Sequence, residues 1–309
     1  RAFTGRKYIA VCSSHPFFSY DDWFIGTTPA AFGIPEEIKK LTLTFKYNDF
    51  ESLEKLFQEH PNEIACVIME VVTTEEPRDN FLKNVESLAK SSGAIFIIDE
   101  MITGFRFGLL GATHKYGLKP DLITYGKGIA NGYSLAVLGG RRDIMNLGGI
   151  NNGHERVFLA STTHGAETIG LAAAIAALTE MKNKKVPDHF WKLGARLKNG
   201  LEILIKKYGL EKSISVVGFA PNLSLGFYDE TGVASPLLRT IFLQEVIKRG
   251  ILFQGYFAIS FSHKDAEVKK TLVAMDEALS VYKKAFTDIK NRKNYLQGEV
   301  CKPVFRKIN

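Results

Sequence analysis

The chain has 309 residues, 45% of them hydrophobic and 24% charged, which fits a globular protein and argues against disorder. Its net charge of +7 raises nucleic acid as a partner, but the basic residues are dispersed. The densest groups, "KNKK" at 182–185 and "KNRKNY" near the C-terminus, read as solvated helix ends and loops, so nucleic acid is set aside and an acidic or phosphorylated small molecule stays compatible with the charge.

In chain order, "RAFTGRKYIAV" opens on Arg1 rather than methionine and enters a strand-like run at once, so an upstream segment is expected. Short apolar runs, "ACVIMEVV" (65–72), "AIFIIDE" (94–100) and "DLITYGKG" (121–128), have the composition of strands buried on both faces. Between the first two, Phe81, Leu82, Val85, Leu88 and Ala89 recur at helical spacing, and Gly93 is placed to end that helix. Strand, helix, strand predicts an α/β domain with a parallel sheet and right-handed crossovers. The alanine-rich "ETIGLAAAIAALTEM" (167–181) is almost wholly apolar and is expected to be a buried helix. A long amphipathic helix around 189–209, the strand-like segments 213–228 and 250–262, and a helix over 265–286 then mix elements differently. The reading is a large domain over 1–185, incomplete at its N-terminus, and a smaller α+β domain over 186–309.

Cys12, Cys66 and Cys301 are scattered without metal-ligand spacing, which points to reduced thiols, no metal and a cytoplasmic location. No apolar stretch approaches the roughly 20 residues that span a bilayer, so no membrane role is expected.

In open parallel sheets, ligands gather at the carboxyl ends of strands. Asp99 and Glu100 end one predicted strand, and Lys127 follows another, 28 positions on. A carboxylate and a lysine at one sheet edge can be a plain ion pair. However, Lys127 stands between Gly126 and Gly128, which offer it no packing and let a flat ring approach. A lysine in a partly desolvated site can act as a nucleophile and form a Schiff base. An acid placed to meet a pyridine nitrogen is the other requirement of pyridoxal phosphate chemistry, and Asp99 is so placed.

The stretch "FIIDEMITGFRFGLLGATHKYGLKPDLITYGKGIANGYSLAVLGGRRDIM" resembles the central signature of the class III (subgroup II) aminotransferases, most of all the glutamate-1-semialdehyde aminomutase-like group. "RAFTGRKYIAV" and "ASTTHGAETIGLAAAIAAL" also resemble segments of that family. The resemblance implies the fold type I of pyridoxal-phosphate-dependent transferases and a cofactor-bearing role for Lys127. It also implies that Asp99 meets the ring nitrogen, that Met101 packs on one ring face where the family usually has valine, and that Glu70 lies near the substrate. Thr162 matches a threonine that serves the cofactor phosphate of the neighbouring subunit, which implies a homodimer. Arg106 resembles a structural arginine. Either His15 or Phe17 takes the place of the family's stacking tyrosine.

Two features depart from the family pattern. Its phosphate-cradling Gly-Ser loop lies upstream of "TGR", beyond the start of this chain. The stretch "LFQGYFAISFSH" has Gly255 near the place where the aminomutases carry a glutamate. The resemblance thus implies transfer of an amino group from a small-molecule donor to a carbonyl acceptor. A 2,1-aminomutase of the same fold, or an inactive scaffold, stays open as an alternative.

Overall fold

The structure is a computed structural model and describes residues 1–14, 18–151, 153, 155, 157, 165 and 167–304. The chain forms two compact units, Arg1–Lys184 and Lys185–Val304.

The first unit runs β1 (Tyr8–Cys12), short helices α1 (Asp22–Ile25) and α2 (Glu36–Lys39), β2 (Thr42–Phe45), α3 (Phe50–Glu59), β3 (Ile64–Glu70), α4 (Phe81–Ser91) and β4 (Ile95–Asp99). It continues with α5 (Gly111–Lys115), β5 (Leu122–Tyr125), β6 (Val137–Gly140), α6 (Arg142–Met145) and α7 (Thr168–Asn183). The strands make one sheet in the order β2-β1-β3-β4-β5-β6, parallel throughout except that β6 runs antiparallel to β5. Val67, Met69, Phe96 and Ile98 from the two central strands are fully buried. Strands covered on both faces read as unbroken apolar runs, as these do.

Helix α4 follows its predicted spacing and turns Phe81, Leu82, Val85 and Ala89 inward. The buried Asp121 carboxylate ties three strands together, accepting from the Phe96 amide at 2.9 Å and from the Arg141 guanidinium at 2.8 Å.

Helix α7 departs from expectation. Only Gly170 and Ala174 are buried, while Ile169 and Ile175 are 63% and 69% exposed. Among the described residues it packs through its N-terminal part, where a side chain at Gly170 would meet the Ser134 carbonyl oxygen at 3.0 Å. Nothing described covers the opposite side.

The second unit runs α8 (Val186–Lys207), β7 (Ile214–Phe219), β8 (Asn222–Phe227), α9 (Pro236–Lys248), β9 (Tyr256–Ala258) and α10 (Asp265–Thr287), with an antiparallel sheet β7-β8-β9. Phe227, Phe242 and Tyr282 meet in its core, and the Tyr282 hydroxyl shares a 2.7 Å hydrogen bond with Ser213.

Candidate active site

The predicted site residues that the structure describes converge at the carboxyl edge of the six-stranded sheet. Glu70 ends β3 and Asp99 ends β4, and the two are direct register partners. On the other side of Asp99, β4 is in register with β5 at Thr124. Glu70 is 3% exposed, Asp99 5% and Glu100 1%, so all three carboxyls are out of water.

Each has its own surroundings. Asp99 accepts a hydrogen bond from the Met101 amide at 2.7 Å. Burial raises its proton affinity, and the Met101 amide and the Lys127 charge oppose that rise. The Thr124 hydroxyl opposes it too, as a close polar neighbour rather than through a well-formed hydrogen bond. Glu70 is pushed up to about 8 by burial first and then by the charge of Asp99, with Lys127 pulling the other way. Glu100 accepts from the Thr103 hydroxyl and from the amides of Ala112 and Thr113 at 2.5, 3.2 and 2.5 Å. At Gly111, which has φ +70°, a Cβ would lie 2.5 Å from a Glu100 carboxylate oxygen.

The lysine is set by the turn after β5. The strand stops at Tyr125, two residues before Lys127, because the chain tightens into a 3₁₀ turn over Lys127–Ala130. Lys127 has φ 47°, the left-handed region that an L side chain rarely adopts, and its side chain is exposed. At Gly126 a Cβ would overlap the Met101 sulfur, so any other residue there would have to push that thioether aside. At Gly128 a Cβ would meet nothing within 4 Å, so open space flanks the lysine. Its influence on both Glu70 and Asp99 places its charge within electrostatic reach of the pair.

The structure thus brings Lys127, Asp99, Glu70 and Met101 together. His15, Phe17 and Thr162 lie outside the described residues. Sequence reasoning took Glu100 only as a strand end, although Thr103 three positions on carried a signal for a polar turn. The packing of Met101 on Gly126 had no signal at all, because it joins two turns distant in the chain. Among the described residues no group of His, Cys, Asp and Glu is arranged to hold a metal ion, and no helix is long and apolar enough to cross a membrane.

The donor set fits pyridoxal phosphate. A buried carboxylate whose own chain compensates its charge only in part is what a protonated ring nitrogen satisfies, and an exposed amine beside open space suits a carbonyl carbon.

Comparison with known proteins agrees with this geometry. The family model described as aminotransferase class-III matches residues 1–279. A glutamate-1-semialdehyde 2,1-aminomutase of Ignicoccus hospitalis is 33% identical over 82% of this chain, and the chain spans 62% of that relative's length. The enzyme of the same name from Thermus thermophilus is 33% identical over 90% of the chain and 70% of its own length. Among solved structures, an omega-transaminase from Sphaerobacter thermophilus superposes with a TM-score of 0.79 at 22% identity, covering 91% of this chain and 69% of that one. The internal aldimine form of the FumI protein of Sphingopyxis sp. MTA144 gives 0.82 at 25% identity, covering 96% and 70%. The architecture is shared with these solved structures, an α/β fold with a mainly parallel sheet. The chain belongs to the class III aminotransferases, a family of pyridoxal-phosphate-dependent enzymes.

Proposed function

We propose that the chain moves an amino group from a small-molecule amino donor to a carbonyl compound, with pyridoxal phosphate held at Lys127. The observation that carries this reading is the left-handed Lys127 beyond the end of β5, beside the buried Asp99 at the end of β4. Bound there, the cofactor would supply an electron sink for the charge that develops at the substrate Cα.

The chain's own residues supply the rest. Lys127 Nζ would bind the cofactor covalently and, once freed by the incoming amine, take the proton from the substrate Cα and return it on the acceptor side. The Asp99 carboxylate would hold the proton of the ring nitrogen and so keep the sink charged. Met101, pinned against Gly126, offers an apolar thioether for a ring face. His15 or Phe17 is proposed for the other face, and Glu70 for the substrate side of the same strand ends. The domain division near residue 185 and a cytoplasmic location belong to the same reading, the latter supported by three free thiols.

A 2,1-aminomutase is the second reading, favoured by the two aminomutase relatives at 33% identity. It is distinguished by turnover without any separate amino acceptor. We further infer a homodimer in which Thr162 serves the partner's cofactor phosphate, supported by the exposed Ile169, Leu171 and Ile175 of α7.

Visible absorption on adding pyridoxal phosphate tests the site. The wild-type chain should turn yellow, and Lys127→Ala, with its fold verified by circular dichroism, should not. A wild-type chain that stays colourless supports the inactive scaffold instead.

A further inference from the structure

Asp99 and Met101, the two residues read as meeting the cofactor ring, are separated in the chain by Glu100 alone. The Asp99 carboxylate accepts from the Met101 amide at 2.7 Å, a side chain bonding to the backbone two residues on. In a turn of this kind the backbone angles of the middle residue decide whether the amide reaches the carboxylate, and here the middle residue is Glu100. The bond matters to Asp99. Among the influences that oppose the effect of burial on its proton affinity, the Met101 amide comes first, ahead of the Lys127 charge.

Glu100 is held at every polar group it has. Its amide donates to the Thr124 carbonyl of β5 at 3.0 Å, and its carbonyl accepts from the Gly104 amide at 2.8 Å. Its carboxyl accepts from the Thr103 hydroxyl and, some ten residues on, from the Ala112 and Thr113 amides in α5. Gly111 leaves room for that carboxyl, since a Cβ there would overlap it.

We propose that Glu100 is a positioning residue for the cofactor: anchored to β5 through its backbone and to α5 through its side chain, it aims the Met101 amide at Asp99 and sets the Met101 thioether beside the ring. The proposal rests on the reading of Asp99 as the partner of the cofactor's ring nitrogen. With the anchor released, the turn relaxes and the amide leaves the carboxylate. Asp99 then takes up a proton more readily, and the ring nitrogen loses a charged partner. The charge of Glu100 acts in the opposite sense, because it raises the proton affinity of Asp99. A role through position and a role through charge therefore differ in what they predict.

Nuclear magnetic resonance of the chain labelled with nitrogen-15 in its five methionines reads the bond before any cofactor is added. Met101→Leu identifies the Met101 amide resonance, and Asp99→Asn should shift it by weakening the acceptor. Glu100→Gln should move it the same way and speed its hydrogen exchange. Thr103→Val removes one donor and keeps the Glu100 charge, so it should give a smaller move in that direction, and it carries the test if the Gln variant does not fold. Titration with pyridoxal phosphate, followed by the yellow absorption, should show roughly tenfold weaker binding to Glu100→Gln. A merely structural glutamate would lower the unfolding midpoint and leave both readouts in place, which overturns the proposal. A resonance that answers Glu100→Gln but not Thr103→Val assigns the effect to charge and overturns it too. A resonance that moves as expected in a chain whose wild type gives no lysine adduct with pyridoxal phosphate refutes the functional reading instead.

Discussion

Lys127 holds a backbone conformation that costs an L residue roughly 1–2 kcal/mol, and such strain survives only where the surroundings impose it. Its neighbour Gly126 lies so close to the Met101 sulfur that a Cβ there would overlap it. Gly126→Ala should therefore force the thioether aside at a cost of about 1–3 kcal/mol. Met101→Val in the same chain should recover much of that cost, since the shorter side chain clears the new methyl. Urea unfolding of both variants checks this, and equal losses with either residue at 101 would show that the contact does not matter. Glu70 gives a pH dependence of definite sign. Its affinity is raised to about 8 in the folded chain, from about 4.3 when unfolded, so between those values the folded chain holds a proton that the unfolded chain has lost. Stability should accordingly fall as the pH rises through that window, by up to about 5 kcal/mol from this residue. Glu70→Gln should flatten the slope between about pH 5 and 8, and an unchanged slope would place its cause elsewhere.

The segment joining β4 to α5 is fixed by one side chain. Glu100 gathers Thr103, Ala112 and Thr113 around its carboxylate, so a single buried group closes the turn that carries Met101. Glu100→Gln turns an acceptor into a donor facing a backbone amide, and should cost about 1–3 kcal/mol in thermal or urea unfolding. No measurable loss would mean that water replaces those bonds. This closure was illegible in the sequence, because it depends on a turn that returns the chain after some ten residues. By contrast β3, β4 and α4 were legible: an unbroken apolar run and a 3.6-residue spacing each allow one arrangement between two covered faces. Strand β6, "VLGG", gave no such signal, being mostly exposed, antiparallel and half glycine. Strand β2 and helices α3 and α9 likewise went unread. Helix α7 misled because it is apolar all round, which says that it wants cover but not on which side. At the site, Lys127 and Asp99 were legible because strand ends fix where side chains emerge, whereas the company Glu70 keeps follows only from the β3–β4 register.

At the scale of the molecule, the exposed apolar side of α7 and the threonine at 162 lead to one experiment on assembly. Chains carrying Lys127→Ala are mixed with chains carrying Thr162→Ala after each is shown to be inactive or impaired alone. If sites are shared, one site of the hybrid has an intact lysine from one chain and an intact threonine from the other, and activity should return to that site. A mixture no more active than its parts, or a sedimenting monomer with full cofactor affinity, would contradict the shared dimer. The most direct test of the whole account concerns Lys127 itself. The chain is loaded with pyridoxal phosphate, reduced with borohydride, digested and mapped by mass spectrometry. The account predicts a stable phosphopyridoxyl group on the peptide containing Gly126-Lys127-Gly128, in about one copy per chain. A label confined to other lysines, or spread evenly over many, would contradict it.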